Sequence, residues 1–484
     1  GSRRLAGAPS GLVVCCVRVH PAAQEDGDIG GLAPACDVEC NSSVTSASAD
    51  GAARALDKPS GGNPARFRRG GTLPTAVCLS KAAIGAGVLS MSVHCAEVGL
   101  VYQLAALIVG AVLTLLSVRL IARASIDTGC WSYEDICDEL FHPGFSLLTG
   151  FINVCNCLGS GAGYLIVCGQ VFQVLTGAGE AGYRAFVVGV GVLVCAPLAV
   201  ARHVGFMRHL AAGSIAALLL LAFTVVWCLA EDGPDETITP ETTWFGPGGA
   251  TVFTYMNSIN NVVFAYNNQF NVPQLTGELT PQPTVRRMGA VAWITTGMCF
   301  LLYGGVSVFG LLAFGVGENQ LDSLVVDLTP RRGSPLVLFT LLAVMFSVLT
   351  CFQFHVYPIR QFAGYTVRKA RGRGADDEDT DVKYAGRSLT RWLDIAAALV
   401  SVAVIIIVAV AISSLRTILD FIGAFASAYI SYVVPPLWVI QIRRQGKAFR
   451  WLDMEVLLCL SLFALGAFFF VFGTYSAILG AMEG

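Results

Sequence analysis

The chain has 484 residues, of which 55% are hydrophobic and only 13% charged, against about 25% charged in an ordinary soluble domain. This balance excludes a soluble globular protein and predicts an all-α polytopic membrane protein whose solvent is the lipid bilayer. A formal net charge of -2 offers no argument for nucleic acid, so the placement of the charges matters more than their sum.

Residues 1 to about 70 are rich in Ala, Gly, Ser and Pro without a sustained apolar period, which predicts a disordered tail. Val13 to Val17 is too short for a secretory signal core, and Arg18 interrupts it. Cys36 and Cys40, with only His20 near them, read as unpaired thiols, so no metal and no cofactor is expected.

From Thr72 onward a window of about 19 residues picks out eleven apolar stretches able to span a bilayer. They run about 73 to 94, 98 to 122, 147 to 176, 185 to 201, 208 to 230, 251 to 275, 288 to 315, 335 to 358, 393 to 413, 417 to 440 and 455 to 479. The domain expected is therefore 71–480. Basic residues orient the array, because cytoplasmic loops retain Lys and Arg. Arg119, Arg123, Arg202, Arg208, Arg286, Arg287, the cluster from Arg360 to Arg391, Arg443, Arg444, Lys447 and Arg450 fall on one side; Arg184, Arg331, Arg332 and Arg416 fall on the other. The acidic loop 231 to 250 suits the outer face. The tail, with Arg66, Arg68 and Arg69 before the first span, is expected in the cytosol, leaving the Asn41 glycosylation sequon unused. The 16 cysteines lie mostly inside spans, so no disulfide framework is expected.

Two spans are interrupted. The first contains Lys81-Ala82-Ala83-Ile84-Gly85-Ala86-Gly87, and the sixth contains Val263-Phe264-Ala265-Tyr266-Asn267-Asn268 before Pro273. Unwound backbone at membrane depth is tolerated only where protein buries it or where it lines a cavity, and matched breaks in two halves of a chain mark a transporter's midplane binding site. Unwinding at Gly85 to Gly87 frees N–H groups that favour an anion such as an α-carboxylate. Freed carbonyls from Val263 to Tyr266 suit an α-ammonium. Asn267 and Asn268 are expected at the cavity, Asn257 and Asn260 in helix packing. In the third span Asn156 and Ser160 are expected along the pathway, and Gly159 to Gly163 reads as a face packed closely against the broken helices rather than a phosphate loop.

A charge at the centre of a membrane helix costs at least about 2.5 to 3.5 kcal/mol, so intramembrane ionisable groups are candidates for ion coupling. Lys81 stands one turn before Gly85, with Thr350 expected to face it from the eighth span; Glu97 and His94 near the end of the first span are the alternative proton carriers. His355 reads as a packing residue.

These motifs together resemble the amino acid/auxin permease family. Ile84-Gly85-Ala86-Gly87-Val88-Leu89 is similar to its first-helix motif, and Phe264-Ala265-Tyr266 with Pro273 to its broken sixth helix. Tyr357-Pro358-Ile359-Arg360 closing the eighth span, and Leu419-Asp420-Phe421-Ile422-Gly423 followed by Pro435-Pro436, are similar to later signatures. The resemblance implies a leucine-transporter-like five-plus-five inverted repeat, with repeat one about 73–230, repeat two about 251–440 and an extra helix at 455–479. It further implies secondary active transport of amino acids. In the family's sodium-coupled system A and N branch an asparagine resembles the position of Lys81 and helps hold sodium with a threonine opposite. This chain keeps Thr350 but has Lys, as the proton-coupled branch does, which implies proton rather than sodium coupling.

An enzyme would need clustered nucleophiles, carboxylates or metal ligands at one depth, and a channel a repeated pore lining; the sequence has neither. A non-transporting amino acid sensor of the same fold is the alternative reading. No carboxylate falls near the centre of the third, sixth or eighth spans, which favours neutral amino acids as substrate. The plasma membrane is the first expectation and a vacuolar or lysosomal membrane the second, since a cytosolic tail has the same orientation in both. The sequence fixes no oligomeric state.

Overall fold

The computed structural model describes residues 70–200, 207–316, 322–370, 387–446 and 450–483. The tail, with Cys36, Cys40 and the Asn41 sequon, lies outside them, as do Arg202, Lys447 and most of the basic cluster after Ala370. Among the described residues the chain is helical, apart from one parallel bridge between Gly70 and Leu279.

Among the described residues nine helices are long and apolar enough to cross a membrane, and the first span is the bent pair Thr72–Ala83 and Ala86–Val98, which turns by 51° at its break. The sixth span is in two shorter pieces, Val252–Ala265 and Val272–Gly277. The intact spans are the second, Leu100–Thr128; third, Pro143–Thr176; fourth, Glu180–Val200; fifth, Met207–Asp232; seventh, Val285–Phe314; eighth, Pro335–Ala370; ninth, Arg387–Ala411; tenth, Leu415–Gln445; and eleventh, Met454–Met482.

One boundary departs from expectation, and it does so at a proline. The eighth helix runs through Pro358 to Ala370 instead of closing there. The fourth passes Pro197 to reach Val200, and the tenth passes Pro435 and Pro436. Proline cannot return a hydrogen bond to the carbonyl four residues back. In the fourth and tenth helices wide π turns, Gly191–Cys195 and Tyr429–Val433, precede the proline. Such turns absorb the missing bond without ending the helix.

Burial sorts the spans into layers. The apolar windows of the third and tenth are 78% and 83% buried, against 28% for the fourth and ninth. The third and tenth are therefore the centre, and the fourth and ninth present their apolar side chains to lipid. Glycines let the third span sit there: a Cβ on Gly159 would strike Ile422 of the tenth, one on Gly161 Ile405 of the ninth, and one on Gly163 would crowd Leu419. Gly159 to Gly163 is thus a close-packing face, but against the ninth and tenth spans rather than the broken helices expected, of which Ala86 comes only within 3.9 Å of the Gly163 position. The first span turns into the second at Gly99, whose φ of +80° and whose contact with the backbone of Phe245 and Gly246 leave no room for a side chain.

Ion pairs collect at the two ends of the bundle. At one end Arg123 and Arg443 meet Glu455, and Lys369 meets Asp138; at the other Arg331 meets Glu231 and Asp232, and Arg416 meets Glu97.

A short amphipathic helix, Tyr133–Leu140, packs beneath the third span at the first of these ends. Its Glu134 is buried, and desolvation pushes the carboxyl up to about 7, with Asp135 adding and Arg368 opposing. The folded state thus holds the proton more tightly than the unfolded chain, so the stabilisation is complete below the ordinary carboxyl range and is lost as pH rises through about 7. Glu134→Gln is expected to raise the thermal midpoint of the purified protein at pH 8, by an effect on the order of 3 kcal/mol, and to leave it nearly unchanged at pH 5. A midpoint at pH 8 lower than that of the wild type contradicts this.

Candidate functional site

The two breaks lie against each other. In the first span Ile84 closes the inner half-helix with its N–H on Ser80, Gly85 adopts φ -136° and ψ -137°, and a 3₁₀ turn from Ala86 to Ser90 restarts the helix without a side-chain cap. The first N–H groups of that turn have no intrahelical partner, so their partial positive charge faces the gap. A Cβ on Gly87 would stand 3.1 Å from the Ala265 backbone and 3.2 Å from the Phe264 ring, and one on Gly85 2.9 Å from the Tyr164 hydroxyl. Close approach of the two breaks requires Gly87, while Gly85 makes room for Tyr164 of the third span.

In the sixth span most freed carbonyls are taken up locally. Val262 accepts from Tyr266 N–H, Phe264 from Asn267 N–H, and Tyr266 from Asn268 N–H. Ala265 accepts from Tyr303 at 2.8 Å, and the same hydroxyl lies 3.1 Å from the Ala83 carbonyl of the first span. Of the carbonyls from Val263 to Tyr266, that of Val263 has no partner among these bonds and is the one left for an ammonium. Tyr303 ties both breaks together from the seventh span, and sequence reading missed it because a lone tyrosine in an apolar helix carries no periodic signal. With one proton for two buried carbonyls, its loss leaves both unpaired at roughly 1 to 3 kcal/mol. Tyr303→Phe is expected to lower the thermal midpoint and slow uptake, and an unchanged midpoint contradicts the bridge.

Asn267 points into a three-helix polar cluster. Its Nδ2 donates to Asn156 Oδ1 at 2.7 Å and to Ser427 Oγ at 2.8 Å, while Ser427 donates to Asn156 at 3.1 Å. All three are buried, and Asn267 Oδ1 and Asn156 Nδ2 have no protein partner. One free acceptor and one free donor thus face the break, complementary to an ammonium and a carboxylate. Ser427, from a π turn of the tenth span, is a second residue the sequence did not flag. Asn268 and Gln269 are also buried with unpaired side-chain atoms.

Two expected side chains, those of Tyr266 and Ser160, sit elsewhere. The Tyr266 ring packs 5.5 Å from Tyr303 and against the Gly110 position of the second span, away from Asn267; only its backbone belongs to the break. Ser160 spends its hydroxyl on its own helix, on the Asn156 carbonyl. Asn260 and Asn257 reach the eleventh span, at the Gly473 carbonyl and the Ser476 hydroxyl. His355 lies between Tyr164 and Phe270, with ring centroids 5.2 Å from each.

Lys81 is fully buried. Its Nζ donates to the Ser347 carbonyl at 3.0 Å and hydroxyl at 3.2 Å, so the direct facing of Lys81 by Thr350 gives way to a shared partner: Thr350 donates to the same carbonyl at 2.7 Å. Ser214 of the fifth span joins at 2.6 Å from the Ser347 hydroxyl. At the far end of the first span, Glu97 is the partner of Arg416, 2.6 Å from its Nη2, and His94 Nε2 lies 3.2 Å from Asp420.

Two facing broken helices around a buried polar centre, with the third and tenth spans innermost, define a transporter of the five-plus-five inverted-repeat class. The solved structure of MhsT in complex with L-phenylalanine superposes with a TM-score of 0.55 at 14% identity, covering 85% of this chain and all of that one. Mhp1, a nucleobase-cation-symport-1 family transporter in a closed conformation, superposes with 0.54 at 15% identity, covering 87% and 94%. The family model of the transmembrane amino acid transporter proteins matches residues 68–479, and the chain belongs to that family. It is an integral multi-pass membrane protein of amino acid transport, not an enzyme. Its relatives include the vacuolar amino acid transporter 5 of Schizosaccharomyces pombe, 21% identical with 76% of this chain and 83% of the relative covered. Another is the amino acid transporter AVT6B of Arabidopsis thaliana, 25% identical with 80% and 85% covered.

Proposed function

We propose that the protein is a secondary active transporter that moves neutral amino acids by alternating access, coupled to protons and independent of sodium. The observation that carries the coupling is Lys81. Its ammonium lies among the Ser347 carbonyl and hydroxyl, with Ser214 and Thr350 bonded to the same residue. Oxygens so grouped suit a cation, and a lysine there supplies one covalently. The α-carboxylate is assigned to the N–H groups from Gly85 to Gly87 and the Asn156 amide, and the α-ammonium to the Val263 carbonyl and Asn267 Oδ1.

Reconstitution in proteoliposomes tests this. Uptake of labelled amino acids is expected to persist when choline replaces sodium and to rise under an inward proton gradient, with neutral substrates leading the panel. Loss of uptake on sodium removal ends the coupling assignment, and binding without accumulation would make the protein a sensor. The name of the S. pombe relative favours a vacuolar membrane over the plasma membrane, and imaging of a fluorescent fusion decides between them.

A further inference from the structure

The seam between the outer half of the first span and the start of the tenth carries acid–base groups in successive tiers. Outermost, Arg416 holds Glu97 through both guanidinium nitrogens, with Nη2 at 2.6 Å from Oε2. One turn deeper on the same two helices, His94 is fully buried and Asp420 is 3% exposed, with Nε2 and Oδ1 3.2 Å apart. Neither ring nitrogen of His94, nor Asp420 Oδ1, has a protein partner in hydrogen-bond geometry. Two turns deeper again, about 10 Å along each helix, lie Gly87 and Ser427 at the candidate substrate site. From the seam and its near flank, Glu97 Oε2 stands 3.9 Å from His94 Nδ1, Arg416 Nε stands 3.9 Å from Asp420, and Asp322 accepts from the Arg416 backbone.

The other helices packed on this pair bring mainly weak acids. Of the helices packed on the outer half of the first span, the seventh carries Cys299 and Tyr303, the sixth Tyr255 and the second Tyr102. Arg286, Arg287, Arg119, Arg123 and Asp127 stand at the opposite ends of the seventh and second helices. Of the helices packed on the start of the tenth, the third carries Tyr164 with Cys155, Cys157 and Cys168, the sixth Tyr255 and the eleventh Tyr475.

We infer that His94 and Asp420 form the binding site of the coupling proton, filled from the Glu97–Arg416 end as that end closes. The step adds one proton to His94 Nε2 while Asp420 remains a carboxylate, so the pair goes from one negative charge to none. Arg416 is already neutralised by Glu97. Closure that buries His94 uncharged would strand the Asp420 charge, which is strongly unfavourable; closure with the proton aboard buries a neutral ion pair. When the break opens to the opposite face, His94 Nε2 gives the proton to water entering from that face past Gly87 and Ser427, and the pair returns to one negative charge. This assignment rests on the proton-coupled reading above.

Linkage makes the site testable without a gradient. If one proton binds with the substrate, wild-type affinity for the labelled neutral amino acid taken up fastest, L-leucine being tried first, falls about tenfold per pH unit over part of the range from about pH 5 to 9. His94→Gln and Asp420→Asn are each expected to flatten this slope to under about twofold per unit. The same wild type is assayed in proteoliposomes with an imposed pH gradient. Gradient-driven uptake together with variants that keep the wild-type slope overturns this site alone. Uptake indifferent to the gradient, with an affinity indifferent to pH, overturns the proton-coupled reading itself. Variants that bind at no pH show the pair to be a structural tie, which also overturns the inference.

Discussion

Asn267→Leu abolishes uptake, by at least about a hundredfold, while the protein still reaches the membrane. Leucine is close to asparagine in volume but offers neither the two donors that Asn267 gives to Asn156 and Ser427 nor the Oδ1 left without a protein partner. Each buried group stranded by the change is worth roughly 1 to 3 kcal/mol, and loss of a substrate partner of an ammonium adds a charge-assisted bond of similar size. Together they exceed the roughly 2.7 kcal/mol that a hundredfold represents. Asn156→Ala removes the other side of the same cluster, so the double variant should be little worse than either single one, as expected for residues sharing one network. Uptake kinetics on surface-normalised protein measure this. Normal kinetics in Asn267→Leu move the substrate away from the sixth-span break.

The same residue shows why part of the site was legible in the sequence and part was not. An amide pair in an apolar helix is conspicuous because lipid tolerates unpaired polar groups so poorly, and the glycines of the first span announce a backbone that cannot stay helical. The sequence therefore located both breaks and the eleven spans. It did not show where side chains point. Tyr266 and Asn267 are neighbours in the chain, yet one turns to the second and seventh spans and the other to the third and tenth. Tyr303 and Ser427 escaped for a related reason, since their roles come from meeting carbonyls and amides on distant segments. A proline misled: read as a stop, Pro358 lies inside a helix that continues past it to Ala370. His94 and Asp420 are 326 positions apart in the chain, and only the packing of the first span on the tenth makes them a pair.

Lys81→Met removes transport in both sodium and choline. The substitution keeps most of the side-chain volume, so the packing of the inner half of the first span survives, but the bond from Nζ to the Ser347 carbonyl and hydroxyl is lost. Those oxygens, with Ser214 and Thr350 around them, then face each other without the charge that draws the first, fifth and eighth spans together. On the proton-coupled reading proposed above, the same charge is what keeps sodium out of the wild type. A second cation about 4 Å from the ammonium meets about 4 kcal/mol of repulsion at an effective dielectric constant near 20, close to a thousandfold in affinity. Lys81→Asn removes that repulsion and adds an acceptor, so sodium is expected to raise the thermal midpoint of this variant and not that of the wild type. Uptake by Lys81→Met at more than about half the wild-type rate, or sodium stabilising the wild type as much as Lys81→Asn, would remove the ammonium from the coupling mechanism.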